Sequence, residues 1–256
     1  MSLKILKYVF FDLMRSRFVL TYIGILAFIS FGVSYFSNDE MKTVLTLLNI
    51  VLFIIPLVSL IFGSIHFYDS GEFTEFLLTQ PVSRSSVFRA EYLGLSLALS
   101  LAVVAGLLPA VIIDRLSVGN VYLLGISVIL TFVFTGLAYL ASSMNVEKVR
   151  GIGLSIVIWL FMAVIFDIIV ILLIYLFRDY PLEKFIIILT SLNPIDLGRI
   201  LLLLKTDVSA LMGFTGASFK NFFGSSIGML LSIAALFLWV LIPYLLAIRI
   251  FRRRNF

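Results

Sequence analysis

Six long apolar stretches, separated by polar segments, run along this chain. They cover residues 18–36, 43–66, 92–113, 121–142, 151–177 and 226–248. Each approaches or exceeds the roughly 20 residues that a helix needs to cross about 30 Å of hydrocarbon. The pattern predicts an all-α polytopic membrane protein with six transmembrane helices, folded as a single membrane domain over residues 1–256.

The segment before the first stretch, residues 1–17, has the pattern of an amphipathic helix. Its apolar residues at helical spacing are Leu3, Leu6, Phe10 and Leu13, and its basic residues are Lys4, Lys7, Arg15 and Arg17. Such a helix lies in the membrane interface with its cations among the headgroups. It either moves with the spans or serves as a basic anchor, and the sequence leaves both interpretations open.

Composition supports a membrane protein and excludes several other classes. Hydrophobic residues make up 62% of the chain and charged residues 13%, whereas a soluble domain carries about 25% charged residues. There is no cysteine, so disulfides, thiolate metal sites and cysteine nucleophiles are excluded. The net charge of +5 is explained by cations at the membrane surface, and no nucleic-acid partner is expected.

The basic residues predict the orientation. If the N-terminus is cytoplasmic, the inner segments carry most of the Lys and Arg residues, while the two short outer loops carry only Lys42 and Arg115. Positively charged loops remain on the cytoplasmic side. Both termini are therefore expected in the cytoplasm.

The segment 69–91 between the second and third stretches is polar and helix-sized. Asp69 and Glu72 have the spacing of a capping box at a helix N-terminus. Phe73, Phe76 and Leu77 then share one apolar face, with Glu72 and Glu75 beside it. The helix should end before Pro81, and Ser83 can begin the next one. This short helix could lie in the headgroups, but its acidic face favours a groove on a cytoplasmic protein.

The third stretch repeats small residues at every fourth position. The set is Gly94, Ala98, Ala102, Gly106 and Ala110. A helix face without large side chains lets another helix approach closely. The partner is either a helix of the same chain, which we favour, or a second subunit.

Polar residues inside the spans are few. Asp167 is the only carboxylate well inside a stretch, and it serves either a proton or cation path or a structural hydrogen bond. His66, near the end of the second stretch, is interpreted as an interfacial histidine. The soft ligands in the spans are His66, Met162 and Met229, which does not predict a metal site or a metal conduit.

The segment 178–225 is predicted to be a long outer loop. Asn193 before Pro194 is a typical helix start, and residues 195–204 are apolar enough to lie along the membrane face. Loops of this length usually carry function or structure of their own. We favour a site for an extracytoplasmic partner over a self-contained lid.

Several motifs together resemble a known family. They are residues 71–84 (GEFTEFLLTQPVSR), 91–94 (EYLG), 145–148 (NVEK), 166–167 (FD), 193–199 (NPIDLGR) and 250–254 (IFRRR). The chain resembles the six-span half-permeases of exporter-type ABC transporters over nearly its whole length. Within that branch it is most similar to the NosY-type permeases of nitrous oxide reductase maturation.

The resemblance implies partners and residue roles. Such permeases work as two copies with two cytoplasmic ATPase subunits, which bind ATP and Mg. The helix 71–80 would dock on the ATPase, with Phe73, Phe76 and Leu77 as anchors and Glu72, Glu75 and Arg84 setting the register. A second contact would come from Glu147 and Lys148. This chain contains no Gly-Lys-Ser or Gly-Lys-Thr, so no phosphate-binding loop, cofactor or enzyme activity of its own is expected.

The same resemblance implies a place and a task. The chain would lie in a bacterial or archaeal cytoplasmic membrane and use ATP-driven motion to act on an extracytoplasmic partner in copper-site maturation. Asn193, Pro194, Asp196 and Arg199 would contact that partner. An exporter permease for a lipid, peptide or drug and a passive scaffold are the alternatives. A membrane enzyme is disfavoured because no cluster of catalytic residues lies at matching depth.

Overall fold

The computed structural model describes residues 2–37, 39–114, 117–177, 183–205 and 226–253, and these residues form helices without any strand. A π-helical turn, Phe161–Ile165, joins α7 to α8. The helices are α1 (Ser2–Arg15), α2 (Arg17–Phe36), α3 (Glu40–Asp69), α4 (Gly71–Leu78), α5 (Arg84–Ile113), α6 (Val118–Met144), α7 (Lys148–Leu160), α8 (Phe166–Leu176), α9 (Glu183–Ser191), α10 (Pro194–Lys205) and α11 (Ser226–Arg253).

Six helical segments of the described chain are long and apolar enough to cross a membrane. They are α2, α3, α5, α6, the continuous α7–α8 segment and α11. This confirms the predicted all-α, six-span architecture. The helices run past the apolar stretches: α3 extends three residues further at each end, and α5 begins at Arg84 rather than at residue 92.

The first described helix, α1, and the last turn of α11 lie at the same end of the bundle as α4, here called the α4 end. α1 packs on α5 beside Gly94, and the Arg84 guanidinium at the start of α5 donates to the carbonyl of Arg252 in α11 (3.3 Å). At the far end, the Ser34 hydroxyl in α2 donates to the Asp114 carboxylate that follows α5 (3.0 Å). The spans therefore alternate in direction along the chain.

The small-residue face of α5 is covered by helices of the same chain. A Cβ on Gly106 would lie 2.5 Å from the Cβ of Leu26 in α2, and one on Gly94 would lie 2.9 Å from Val9 in α1. Ala98 and Ala102 are fully buried between these points. The predicted close helix contact is confirmed, and it is intramolecular.

The face that α1 buries differs from the predicted one. Ile5, Val9 and Leu13 are buried, whereas Leu3 is 77% exposed. These three residues follow an i, i+4, i+8 row, because the contact with α5 is a narrow stripe along the helix. Of the predicted face, only Leu13 is fully buried.

The helix α10 follows α9 after two residues and contacts α3, α6 and α11. Its side chains are buried nearly all round, including Ile195, Leu197 and Leu202. A Cβ on Gly198 would lie 2.9 Å from Ile126 in α6, so the two backbones approach closely. The prediction that this segment lies along the membrane face is therefore wrong. The rest of the predicted outer loop, residues 178–182 and 206–225, lies outside the described part of the chain.

Candidate functional site

The helix α4 begins differently from the predicted capping box. Asp69 is the last residue of α3, and Ser70 occupies the N-cap position of α4 without a capping hydrogen bond from its side chain. The Asp69 carboxylate instead forms an ion pair with the Lys148 ammonium at the start of α7. Asp69 therefore joins two polar segments rather than capping a helix.

The apolar residues of α4 point in two directions. Leu77 and Thr74 are buried against the bundle, and the ring of Phe73 stacks on Tyr8 of α1 with the centroids 5.5 Å apart. Phe76 is 61% exposed. An eight-residue helix is not stable alone, so it needs apolar attachments to its own chain. The predicted three-residue anchor is thus split.

The outward surface of α4 consists of Glu72, Glu75 and Phe76, all of which are exposed. Arg84 lies nearby at the start of α5, where the Ser83 hydroxyl accepts a hydrogen bond from the amide of Ser86 (3.3 Å), as predicted. An exposed aromatic ring flanked by two carboxylates offers both an anchor and a charge pattern to a partner.

The segment between α6 and α7 lies beside this surface, because Lys148 pairs with Asp69. Val146 and Val149 are 81% and 82% exposed, and Glu147 forms an ion pair with Arg150 (3.0 Å). The two predicted contact regions are therefore neighbours at the α4 end. The exposed valines were not among the predicted site residues, although their position within a charged segment of the sequence already distinguishes them.

Hydroxyl groups fix the end of α3 to the end of α6 and to α7. The Tyr68 hydroxyl donates to the carbonyls of Ser142 (3.3 Å) and Asn145 (3.0 Å). The hydroxyls of Ser64 and Ser155 are 2.6 Å apart. A Cβ on Gly151 would lie 2.0 Å from the Tyr68 hydroxyl, so a larger residue there would force the Tyr68 ring to move.

We expect Gly151→Ala to loosen this junction. The added methyl group would push the Tyr68 ring away and break its two hydrogen bonds, which lowers the free energy of unfolding by about 1 to 3 kcal/mol. Thermal denaturation of the purified protein measures the change. The matched control is Gly153→Ala, where a Cβ meets nothing within 4 Å. Equal melting temperatures for the two variants would contradict the prediction.

A buried histidine–glutamate pair lies beneath α4 and was not predicted. His66 Nε2 and Glu91 Oε2 are 3.0 Å apart, and Glu91 is only 4% exposed. His66 is therefore not the isolated interfacial histidine that its position indicated. The two residues are 25 positions apart on different helices, and no local pattern predicts such a pair.

Asp167 belongs to a polar network inside the membrane. Both Nη1 and Nη2 of Arg199 lie 3.3 Å from Asp167 Oδ2, and Nη1 lies 3.2 Å from Asp196 Oδ1. The Asn193 amide donates to Asp196 Oδ2 (3.2 Å) and to the carbonyl of Met162 (2.9 Å). Met162 lies in the π-helical turn, a feature that often occurs at functional positions.

This network corrects the predicted surface for an extracytoplasmic partner. Asn193, Pro194 and Asp196 are buried within the chain, and Arg199 faces Asp167. They fix α10 to the α7–α8 span, so they are not a free docking surface. The structure thus brings Asp167, which the sequence placed inside a span, into contact with the polar residues of the predicted outer loop. Among the described residues, no group of three or more His, Asp or Glu side chains could hold a metal ion.

Comparison with known proteins identifies the family. The sequence model of the ABC-2 family transporter protein family matches residues 12–256. The chain is 28% identical over 265 residues to the probable ABC transporter permease protein NosY of Pseudomonas aeruginosa, covering 95% of this chain and 94% of that protein. It is 26% identical over 275 residues to the probable ABC transporter permease protein NosY of Stutzerimonas stutzeri, covering 95% of each. The chain therefore belongs to the ABC-2 transporter family and is a membrane-spanning permease subunit of an ABC transporter.

Proposed function

We propose that the α4 end receives a cytoplasmic ATPase and transmits its motion to the spans. The observation that carries this proposal is the surface formed by Glu72, Glu75 and Phe76, which stays exposed while the rest of α4 is attached to the bundle. The exposed Val146 and Val149 extend it. An ABC permease requires an ATPase partner, and this is the accessible apolar and acidic surface that a groove on such a partner would fit.

The proposal places the α4 end in the cytoplasm. α1 and the last turn of α11 lie at this end, and they bring Lys4, Lys7, Arg15, Arg252 and Arg253 with them. Basic residues next to spans remain on the cytoplasmic side. Both termini would then be cytoplasmic, in the cytoplasmic membrane of a bacterium or archaeon.

The proposed task is copper-site maturation of nitrous oxide reductase through an extracytoplasmic partner. The likeness to two NosY permeases over 95% of the chain supports this task. Two copies of the chain and two ATPase subunits would form the complex. The helix α10 would move with α8, because Arg199 joins α10 to Asp167.

A pull-down of the tagged chain with its natural neighbours tests the coupling surface. We expect wild type to recover ATPase activity and Phe76→Glu to lose at least about nine-tenths of it, since an anchor residue contributes 2 kcal/mol or more to binding. Leu3→Glu is the matched control, because it adds the same charge at an exposed apolar position on the same side.

Two outcomes would contradict the coupling proposal. If no ATPase activity is recovered with wild type in mild detergent, the chain has no ATPase partner among its neighbours. If wild type and Phe76→Glu recover equal ATPase activity, the contact does not depend on the exposed surface of α4. Membrane insertion of each variant must be equal for the comparison to hold.

The maturation task has a separate test. We expect a strain without this chain to make nitrous oxide reductase that lacks copper, and the wild-type chain to restore the metal. A fully copper-loaded reductase in the deletion strain would exclude this task and leave export of a lipid, peptide or drug as the function.

A further inference from the structure

A cavity of about 130 Å³ lies directly beneath α4. Its walls carry the aromatic rings of Phe67, Phe88, Tyr139 and Phe251, which come from α3, α5, α6 and α11. Gly71, Thr74 and Glu75 of α4 complete the lining, and this α4 side of the cavity is here called its rim. The cavity therefore lies between the proposed coupling helix and the spans.

Two of the lining residues carry a buried polar atom without a hydrogen-bond partner among the described residues. Glu91 is 4% exposed and uses Oε2 to contact His66, while its Oε1 has no hydrogen-bond partner among the described residues. The Tyr139 hydroxyl likewise has no partner there. Leaving a buried carboxylate oxygen unpaired is costly, so a ligand that supplies a donor would be stabilised.

The charges around the cavity select a cation. Glu91 lines the interior and Glu75 lies at the rim, whereas the described lining residues include no Lys or Arg. Aromatic faces attract cations through the ring quadrupole. An anion would be repelled by the carboxylates, and a neutral apolar group would leave Glu91 without a donor.

The size and the planar walls favour a guanidinium group. A cavity of about 150 Å³ accepts benzene, so this one holds a flat group of similar size. A guanidinium is planar, stacks on aromatic rings and is more weakly hydrated than an ammonium. It also carries N–H donors that a carboxylate such as that of Glu91 accepts.

We propose that this cavity receives one arginine side chain of the partner ATPase. The proposal rests on the function proposed above, because only an ATPase docked on α4 brings its side chains to the rim. The contact would hold α4 from beneath while Phe76 anchors it from outside. A push on α4 would then be delivered to the four helices that form the walls.

The affinity of the ATPase for the full chain in lipid nanodiscs tests the proposal. We expect Glu91→Gln to weaken binding about ten- to hundredfold, because it removes the charge that strengthens the hydrogen bond to the arginine. Asp12→Asn, which removes an exposed carboxylate from α1, should leave the affinity unchanged. Binding equal to wild type in Glu91→Gln would overturn the inference.

A second variant avoids disturbing the His66–Glu91 pair. A Cβ on Gly71 meets nothing within 4 Å, so Gly71→Leu should occupy the rim without a clash, and Gly71→Ala is its control. We expect the leucine variant to weaken ATPase binding as Glu91→Gln does, and the alanine variant to bind normally. Equal affinities for the two Gly71 variants would overturn the inference even if Glu91→Gln misfolded.

The absence of cysteine from this chain allows the occupant to be identified. Gly71→Cys would carry the sole thiol, and each surface arginine of a cysteine-free ATPase would be replaced by cysteine in turn. A disulfide with at least one of these positions supports the inference, and none overturns it. If the ATPase binds wild type and the cavity variants with equal affinity, this inference alone is refuted. Failure of wild type to bind would refute the proposed coupling as well.

Discussion

Replacing Arg199 by methionine should lower the free energy of unfolding by about 3 to 5 kcal/mol, the cost of removing one partner from a buried ion pair. The substitution keeps the length of the side chain but leaves Asp167 and Asp196 facing each other without a counter-charge. The side chains of Asp167 and Arg199 are about one-third exposed, which places the loss toward the lower end of this range, but Asp167 lies within the α7–α8 span. Uncompensated carboxylates are therefore strongly disfavoured there.

Unfolding of the purified protein in mixed micelles measures this loss. The control is Arg150→Met, since Arg150 forms a solvent-exposed pair with Glu147 that contributes no more than about 1 kcal/mol. Combining Arg199→Met with Asp167→Asn and Asp196→Asn should recover much of the stability, because the network is then neutral throughout. Equal destabilisation by the two methionine variants would show that the network does not stabilise the fold.

Gly106→Ala should be the next most damaging of these stability variants, with a loss of about 1 to 3 kcal/mol from overpacking. The new Cβ would lie 2.5 Å from the Cβ of Leu26, an atom fixed to the backbone of α2 and unable to rotate away. The helices α2 and α5 must then separate, which also lengthens the hydrogen bond from the Ser30 hydroxyl to the Gly106 carbonyl (2.7 Å).

The matched control is Gly125→Ala in α6, where a Cβ meets nothing within 4 Å. It should be neutral or slightly stabilising, because alanine favours helix over glycine. Leu26→Gly combined with Gly106→Ala should cost less than the sum of the two single changes. Additive effects, measured by the same unfolding assay, would mean that the two residues do not oppose each other.

Much of the fold was readable from the sequence because it depends on local patterns. Each of the six spans is a continuous apolar run, and α5 carries its small residues at helical spacing. The burial of α10 was not readable. Its short apolar run fits an interfacial helix as well as an inserted one, and only the contacts with α3, α6 and α11 decide between them.

The candidate site was readable in part for the same reason. The existence of α4 follows from its helical periodicity, and the start of α5 at Arg84 follows from Ser83 as its cap. The inward turn of Leu77 depends on the neighbouring helices, and the pairs His66–Glu91 and Asp167–Arg199 join residues distant in the chain. Sequence patterns mark such residues one at a time and do not pair them.

The packing of α2 also dictates an order of events during biosynthesis. The main neighbour of α2 is α5, and the Ser30 hydroxyl reaches a carbonyl 76 residues later in the chain. When α2 enters the bilayer from the ribosome, α5 has not been made, and Ser30 has only the carbonyl of Ala27 in its own helix (3.2 Å). Helices insert first and associate afterwards. The nascent chain therefore holds α2 in lipid through the synthesis of α3 and α4, and the first half of the protein closes only when α5 arrives.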